Sequence, residues 1–231
     1  WTDEEGIRRI HSLLDMARAQ DSTRLYAWGS NVFYGTKGCD PESDFYTSTQ
    51  YFTHMIRGTS ALGENDPGRL PGFINNKYPA PGENYDASMA QLRQTYQKPV
   101  FSFEVGQFEI LPDFDELQDF QGVSDPANYR IIQEKVRQQG LEPVWKRYVE
   151  ATGELSRIGY RAEVEAAMNT DEMSGISLLQ LQDFPGQGTA LVGMMDSHLK
   201  PKPFAFARSE AFQAFFRDRL VLASLPRYTY Q

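Results

Sequence analysis

The sequence predicts an α/β fold in which parallel strands alternate with helices. Short apolar runs bounded by turn residues recur along the chain, and amphipathic helical patterns lie between them. Polar residues follow each apolar run. Strands that alternate with helices pair in parallel through right-handed crossovers. We expect four such strands, which is half the number in an eight-stranded α/β barrel.

The first elements are a helix and two strands. Thr2-x-x-Glu5 has the form of a capping box, and apolar residues then recur at helical spacing over residues 7–17. The segment Arg24–Trp28 reads as a short strand that leads into a polar loop. Asp44–Ser48 reads as a second strand.

Residues 49–90 are the least regular part of the chain. Nine glycines and prolines fall between residues 57 and 90, which predicts a long irregular excursion. Loops of this length are uncommon unless they line a functional site. We therefore expect residues 49–90 to line a functional site. A short helix is expected over Ser88–Tyr96.

The second half of the chain contains two strands and several helices. A buried strand is predicted over Lys98–Phe108, and another over Ser177–Phe184. Between them, apolar stripes after Asp125-Pro126 predict three helices, the first two separated near Gly140. A final amphipathic helix is expected over Ala211–Leu222.

Composition excludes several classes of function. The chain has 231 residues, is 40% hydrophobic and carries a net charge of −8, which suits a protein with a sizeable core. Without a basic stripe, it is a poor candidate for binding nucleic acid or anionic membranes. The sequence has no apolar run long enough for a transmembrane helix. Its single cysteine, Cys39, permits no intrachain disulfide and does not reveal the compartment, so cytoplasmic and secreted locations both stay open.

Glu104 is the most informative candidate residue. It ends the apolar run of the Lys98–Phe108 strand, and charged residues are rarely buried without a reason. A carboxylate at the carboxyl end of a barrel strand is where such folds place catalytic groups. A structural carboxylate bound by neighbouring amides is the alternative. Both readings stay open on this segment alone.

Polar residues follow each of the four predicted strands, and in a parallel barrel these positions lie on one face. Strand ends also carry polar residues simply because loops begin there. The alternative is therefore that these residues mark the starts of loops and form no site. The residues are Ser30, Asn31, Thr47, Ser48, Glu104, Gln107, Asp183 and Gln187.

The sequence offers no pattern typical of a metal or cofactor site. His11, His54 and His198 lie far apart without metal-ligand spacing, although His54 is a candidate for lining a pocket. The acidic residues between Asp113 and Asp119 lack the glycine and spacing of a calcium loop, and they read as a solvated face. We therefore expect no cofactor and no metal.

Three segments resemble parts of glycoside hydrolase family 2, which contains β-galactosidases, β-glucuronidases and β-mannosidases. Lys98–Gln107 resembles the strand that bears the nucleophile of that family, and Leu179–Gly193 resembles the last barrel strand of a bacterial branch. Arg24–Asn31 is similar to the strand that follows the acid/base. The resemblance covers nearly the whole chain, as a single domain over residues 1–231. It implies strands 5–8 of a (β/α)₈ barrel.

The resemblance also implies a retaining mechanism on a carbohydrate substrate, with Glu104 as nucleophile. Trp28 would offer an apolar platform to a sugar, or would belong to the core. Their positions at strand ends, and not the resemblance, suggest that Asn31, Asp183 and Gln187 would bind sugar hydroxyls. The position of His54 in the irregular segment suggests that it would line the pocket. The family's acid/base glutamate follows an asparagine, and the sequence contains no Asn-Glu pair.

This departure predicts that the chain is one piece of a larger protein. The N-terminal half of the barrel would be its partner, an oligomer is possible, and the chain alone would be inactive as a glycosidase. The alternative is a non-catalytic module that binds carbohydrate or serves assembly. An esterase is a weaker alternative, because the sequence has no Gly-x-Ser-x-Gly elbow.

Overall fold

A computed structural model describes residues 3–28, 40–48, 50–51, 54–55, 58, 74, 82–187 and 191–225, with only the backbone of residues 50, 51, 54, 55 and 187. The chain divides into two compact units. The first unit comprises Trp1–Val105, Ala162–Leu178 and Val221–Gln231. The second unit comprises Gly106–Arg161 and Leu179–Leu220.

Helices dominate the described residues. The α-helices are α1 (Glu4–Gln20), α2 (Asp86–Arg93), α3 (Ala127–Gln138), α4 (Trp145–Met168) and α5 (Ser209–Gln213). The strands are β1 (Tyr46–Ser48), β2 (Gln50–Tyr51), β3 (His54–Met55), β4 (Val100–Val105) and β5 (Gly175–Leu178). Turns of 3₁₀-helix cover Phe114–Asp119, Glu142–Val144, Pro185–Gln187 and Ala205–Ala207.

The first unit contains a three-stranded parallel sheet with the strand order β1-β4-β5. Strands β2 and β3 pair separately as a short antiparallel ribbon. Parallel pairing therefore agrees with the sequence prediction, but the (β/α)₈ barrel is wrong. Among the described residues, the parallel strands form one open sheet, in which β1 and β5 each pair only with β4.

The strand predicted at Arg24–Trp28 does not form, because side chains take its backbone donors. The Tyr26 amide donates to Asp44 Oδ2 at 2.7 Å, and the Trp28 amide donates to Ser43 Oγ at 2.8 Å. Short polar side chains that bind the backbone in this way compete with ladder hydrogen bonds. The segment is thereby tied to the turn before β1 without joining the sheet.

Three other elements differ from their predicted bounds. Strand β5 ends at Leu178 and does not continue to Phe184. Of the three predicted helices, the second and third, which both follow Gly140, form one continuous helix, α4. The final helix, α5, is five residues long and ends at Gln213, well short of Leu222.

Each unit has its own apolar core. In the first unit, α2 and the end of α4 pack against the sheet, and the buried residues are Tyr46, Tyr85, Met89, Leu92, Val100, Ala166 and Ala167. In the second unit, α3 and the start of α4 contribute to a core of Ile110, Val136, Trp145, Val149, Phe206 and Ala207. The stacked rings of Phe114 and Trp145, 5.3 Å apart, extend the second core.

No helix in the described part of the chain is both long enough and apolar enough to cross a membrane.

Candidate functional site

Strand β4 carries a bulge between Ser102 and Val105, the interval that contains Glu104. The pairs on either side of the irregularity are Ser102 with Ile176 and Val105 with Leu178. The chain therefore advances three residues along β4 and only two along β5, which leaves one extra residue in β4. Bulges redirect side chains and are frequent next to active sites.

Glu104 also has an unusual backbone conformation. Its φ angle is +57°, in the left-handed region that side chains with a Cβ rarely adopt. Holding a non-glycine residue there costs about 1–2 kcal/mol. Such strain persists where the surrounding structure imposes it, and it clusters at functional sites. The half-buried Glu104 lies at the carboxyl end of the central strand, the edge where open parallel sheets bind ligands.

We predict that Glu104→Gly is more stable than Glu104→Ala by about 1 kcal/mol, because only alanine meets the left-handed penalty. Both variants lose the carboxylate, so their difference isolates the backbone. Urea unfolding of the two variants measures this difference. In an ordinary strand position alanine is the more stable residue, and that order at residue 104 would contradict the strained conformation.

The other predicted site residues of the first unit are less informative. Trp28 is half-buried, which agrees with either of its two predicted roles. Ser48 ends β1 and pairs with Ser102 of β4, and its side chain is buried. Asn31 lies outside the described residues. For His54, only the backbone in β3 is described.

Asp183 belongs to the second unit, where its carboxylate is buried in an ion pair. Lys202 Nζ lies 2.8 Å from Oδ2 and 2.9 Å from Oδ1, and the Gly193 amide donates to Oδ1 at 2.9 Å. Burial raises the pKa of Asp183 to about 6, although Lys202 and the Gly193 amide act in the opposite direction. Two hydrogen bonds and the ion pair with Lys202 therefore hold this carboxylate inside the unit. The neighbouring candidate Gln187 has a described backbone only, in a 3₁₀ turn.

Among the described residues of the second unit, Asp183 contributes to the lining of two cavities. The larger has a volume of about 730 Å³, with the rings of Phe120 and Phe184 and the amides of Asn128 and Gln182 in its wall. The smaller has a volume of about 220 Å³ and is lined mainly by acidic and basic side chains. Apolar rings combined with a few polar groups are typical of small-molecule sites.

The structure brings together three residues that sequence reasoning did not group. Ligand atoms of Glu116, Asp196 and His198 lie within 4.8 Å of one another; we refer to these residues as the Glu116 cluster. Glu116 is buried, so the prediction of a solvated face is wrong for this residue. The Asp-x-His spacing of 196–198 is the only local signal, because Glu116 is distant in sequence.

Tyr129 completes the polar surroundings of Glu116. Its hydroxyl donates to Glu116 Oε2 at 3.4 Å, and its side chain is fully buried. Burial, together with the carboxylates of Glu116 and Asp183, raises the pKa of Tyr129 well above its usual value. The phenol is therefore a neutral hydrogen-bond donor at physiological pH.

Comparison with known proteins gives no family assignment: no family model and no curated protein matches the chain. The functional argument therefore depends on the residues and on their geometry.

Proposed function

We propose that this chain carries the nucleophile of a retaining β-glycosidase and that Glu104 is that nucleophile. The observation that carries the proposal is the left-handed Glu104 in the bulge of the central parallel strand. Strain of this kind clusters at functional sites, which favours a catalytic role of the carboxylate over a purely structural one. The resemblance of Lys98–Gln107 to the nucleophile strand of glycoside hydrolase family 2 supports the same role.

In this mechanism the Glu104 carboxylate attacks the anomeric carbon and forms a covalent glycosyl-enzyme. A second carboxyl group, about 5–5.5 Å away, first protonates the leaving oxygen and then activates the water that releases the sugar. The resemblance assigns no residue of this chain to the second role. The proposal therefore concerns the first half of the reaction, in which the glycosyl group is transferred to Glu104.

The test uses 2,4-dinitrophenyl 2-deoxy-2-fluoro-β-glycosides with the full-length protein. Dinitrophenolate leaves without being protonated, so labelling depends on the nucleophile and not on the acid. The fluorine slows hydrolysis of the intermediate, which then accumulates. We expect mass spectrometry to find one fluoroglycosyl group on the peptide that contains Glu104.

Two variants make this experiment decisive. Glu104→Gln should lose labelling and lower glycoside turnover by roughly 10³-fold or more. Glu109→Gln, a matched change at an exposed glutamate five residues further on, should keep both. Labelling at another carboxylate, or full turnover by Glu104→Gln, would contradict the assignment of Glu104 as the nucleophile.

The second candidate is carbohydrate binding without hydrolysis, and the larger cavity of the second unit favours it. The half-exposed ring of Phe184 and the amide of Asn128 provide an apolar face and a hydrogen-bonding group for a sugar. This function does not require Glu104. If Glu104→Gln still binds a sugar and the parent protein is not labelled, the results would support carbohydrate binding without hydrolysis over glycosidase activity.

A further inference from the structure

We propose that the Glu116 cluster is a binding site for a divalent transition-metal ion, with Zn²⁺ as the ion of choice. The inference is independent of the glycosidase proposal, because it concerns the second unit alone. The cluster offers one imidazole nitrogen and two carboxylates, whose ligand atoms lie within 4.8 Å of one another. Ligands bound to zinc at about 2.0–2.2 Å can be at most about 4 Å apart. A small closing movement of the side chains is therefore sufficient.

The state of His198 is the independent observation that points to a ligand. Its Nδ1 atom is buried and has no hydrogen-bond partner among the described residues. Glu116 Oε1 lies 3.5 Å away, too far for a good hydrogen bond. A buried imidazole nitrogen without a partner is unfavourable. A metal ion bound to the Nδ1 lone pair of the neutral ring would remove that cost.

The rest of the cluster is already oriented as a coordination shell requires. Backbone amides of His198 and Lys200 donate to Asp196 Oδ1 at 2.8 and 2.9 Å. The Ser197 amide donates to Glu116 Oε1 at 2.8 Å. The ring of Phe120 packs edge-on against His198 with centroids 4.7 Å apart. Outer contacts of this kind fix ligand orientation and raise metal affinity.

Charge and access also favour a cation. Neither carboxylate of the cluster forms a salt bridge with a lysine among the described residues. Lys200 attracts both carboxylates at longer range but pairs directly with Asp119 at 2.8 Å, and Lys202 pairs with Asp183. The side chain of His198 is 28% exposed and lines the larger cavity, which provides an entry path. Imidazole with carboxylates suits Zn²⁺ better than Mg²⁺ or Ca²⁺, which prefer oxygen ligands alone.

The test is titration of the chelator-treated full-length protein with Zn²⁺ by calorimetry, and with Co²⁺ by visible absorption. We expect one ion per chain at micromolar affinity or better, and a Co²⁺ spectrum typical of nitrogen and oxygen ligands. His198→Gln and Asp196→Asn should each weaken Zn²⁺ binding by about 10–100-fold or more, since even loss of an outer-shell partner has that effect. His198→Gln should also abolish the Co²⁺ spectrum.

His11→Gln is the matched control, because His11 also faces a buried carboxylate, Asp40, at 3.0 Å, but lies in the first unit. It should bind Zn²⁺ like the parent protein. Circular dichroism of each metal-free variant tests whether it folds, and Asp196→Asn retains an acceptor for the two backbone amides. Absence of stoichiometric binding in the parent, or equal affinity in His198→Gln and His11→Gln, would overturn the proposal.

Discussion

Replacing Lys202 by methionine should destabilise the protein by about 3–5 kcal/mol at pH 8, because it leaves the buried carboxylate of Asp183 without its partner. The loss should be much smaller at pH 5. The folded-state pKa of Asp183, about 6, is above its ordinary value of 3.8. The folded state therefore favours the neutral carboxyl group. The stability that this preference contributes is fully present below about pH 4 and is lost as the pH rises through 6.

In Lys202→Met that pKa rises further, because the lysine no longer attracts the carboxylate. Urea unfolding at pH 5 and pH 8 measures the effect. Lys200→Met is the control, since its exposed pair with Asp119 is worth less than about 1 kcal/mol at either pH. The double variant Lys202→Met with Asp183→Asn should recover most of the stability and lose the pH dependence. Equal losses at both pH values would contradict this account.

Replacing Gly106 by alanine should destabilise the protein by roughly 2–5 kcal/mol, the sum of a left-handed backbone penalty and an overpacking cost. Gly106 has a φ of +95°, and a Cβ there would lie 1.7 Å from Tyr160 Cε1. Tyr160 is 1% exposed, and its hydroxyl donates to the Val192 carbonyl at 3.0 Å. The ring also packs against Phe108 and Phe212, so it has little room to move.

Gly140→Ala separates the two costs. Gly140 has a φ of +67°, but a Cβ there meets no atom within 4 Å. It should therefore lose only about 1–2 kcal/mol for its backbone conformation. Thermal and urea unfolding of both variants provide the comparison. Similar losses for the two glycines would show that the Tyr160 ring adapts to the added methyl group.

Patterns that depend on neighbouring residues predicted the fold best. The apolar run before Glu104 identified β4, and the Thr2-x-x-Glu5 pattern identified the start of α1, although Asp3 is the residue whose side chain caps the helix. The break expected between the second and third helices after Gly140 fails, because helical residues continue through Gly153 and Gly159. Their missing side chains leave space for the rings of Phe206 and Phe108.

The site was less predictable, because it depends on distant contacts. Glu104 could be selected from sequence, since it ends a buried run. Its bulge could not, because the extra residue appears only when β4 is paired with β5. Asp183 was predicted to lie at a strand end and to bind substrate. In the structure its carboxylate is buried and is bound by Lys202 and the Gly193 amide. Glu116 was assigned to a solvated face because local sequence patterns do not reveal its contact with Ser197, which is 81 residues away.

The bulge has a consequence for how strand β4 tolerates insertions and deletions. Val100 and Ser102 are buried at even positions, whereas Val105 is buried at an odd one. The extra residue thus reverses the parity of the strand between Ser102 and Val105. Deleting Phe103 would make the pairing with β5 regular and keep Val105 in step with its partner, but it would leave Glu104 in an ordinary extended position. A homologous strand one residue shorter should therefore retain the sheet and lose the strained carboxylate.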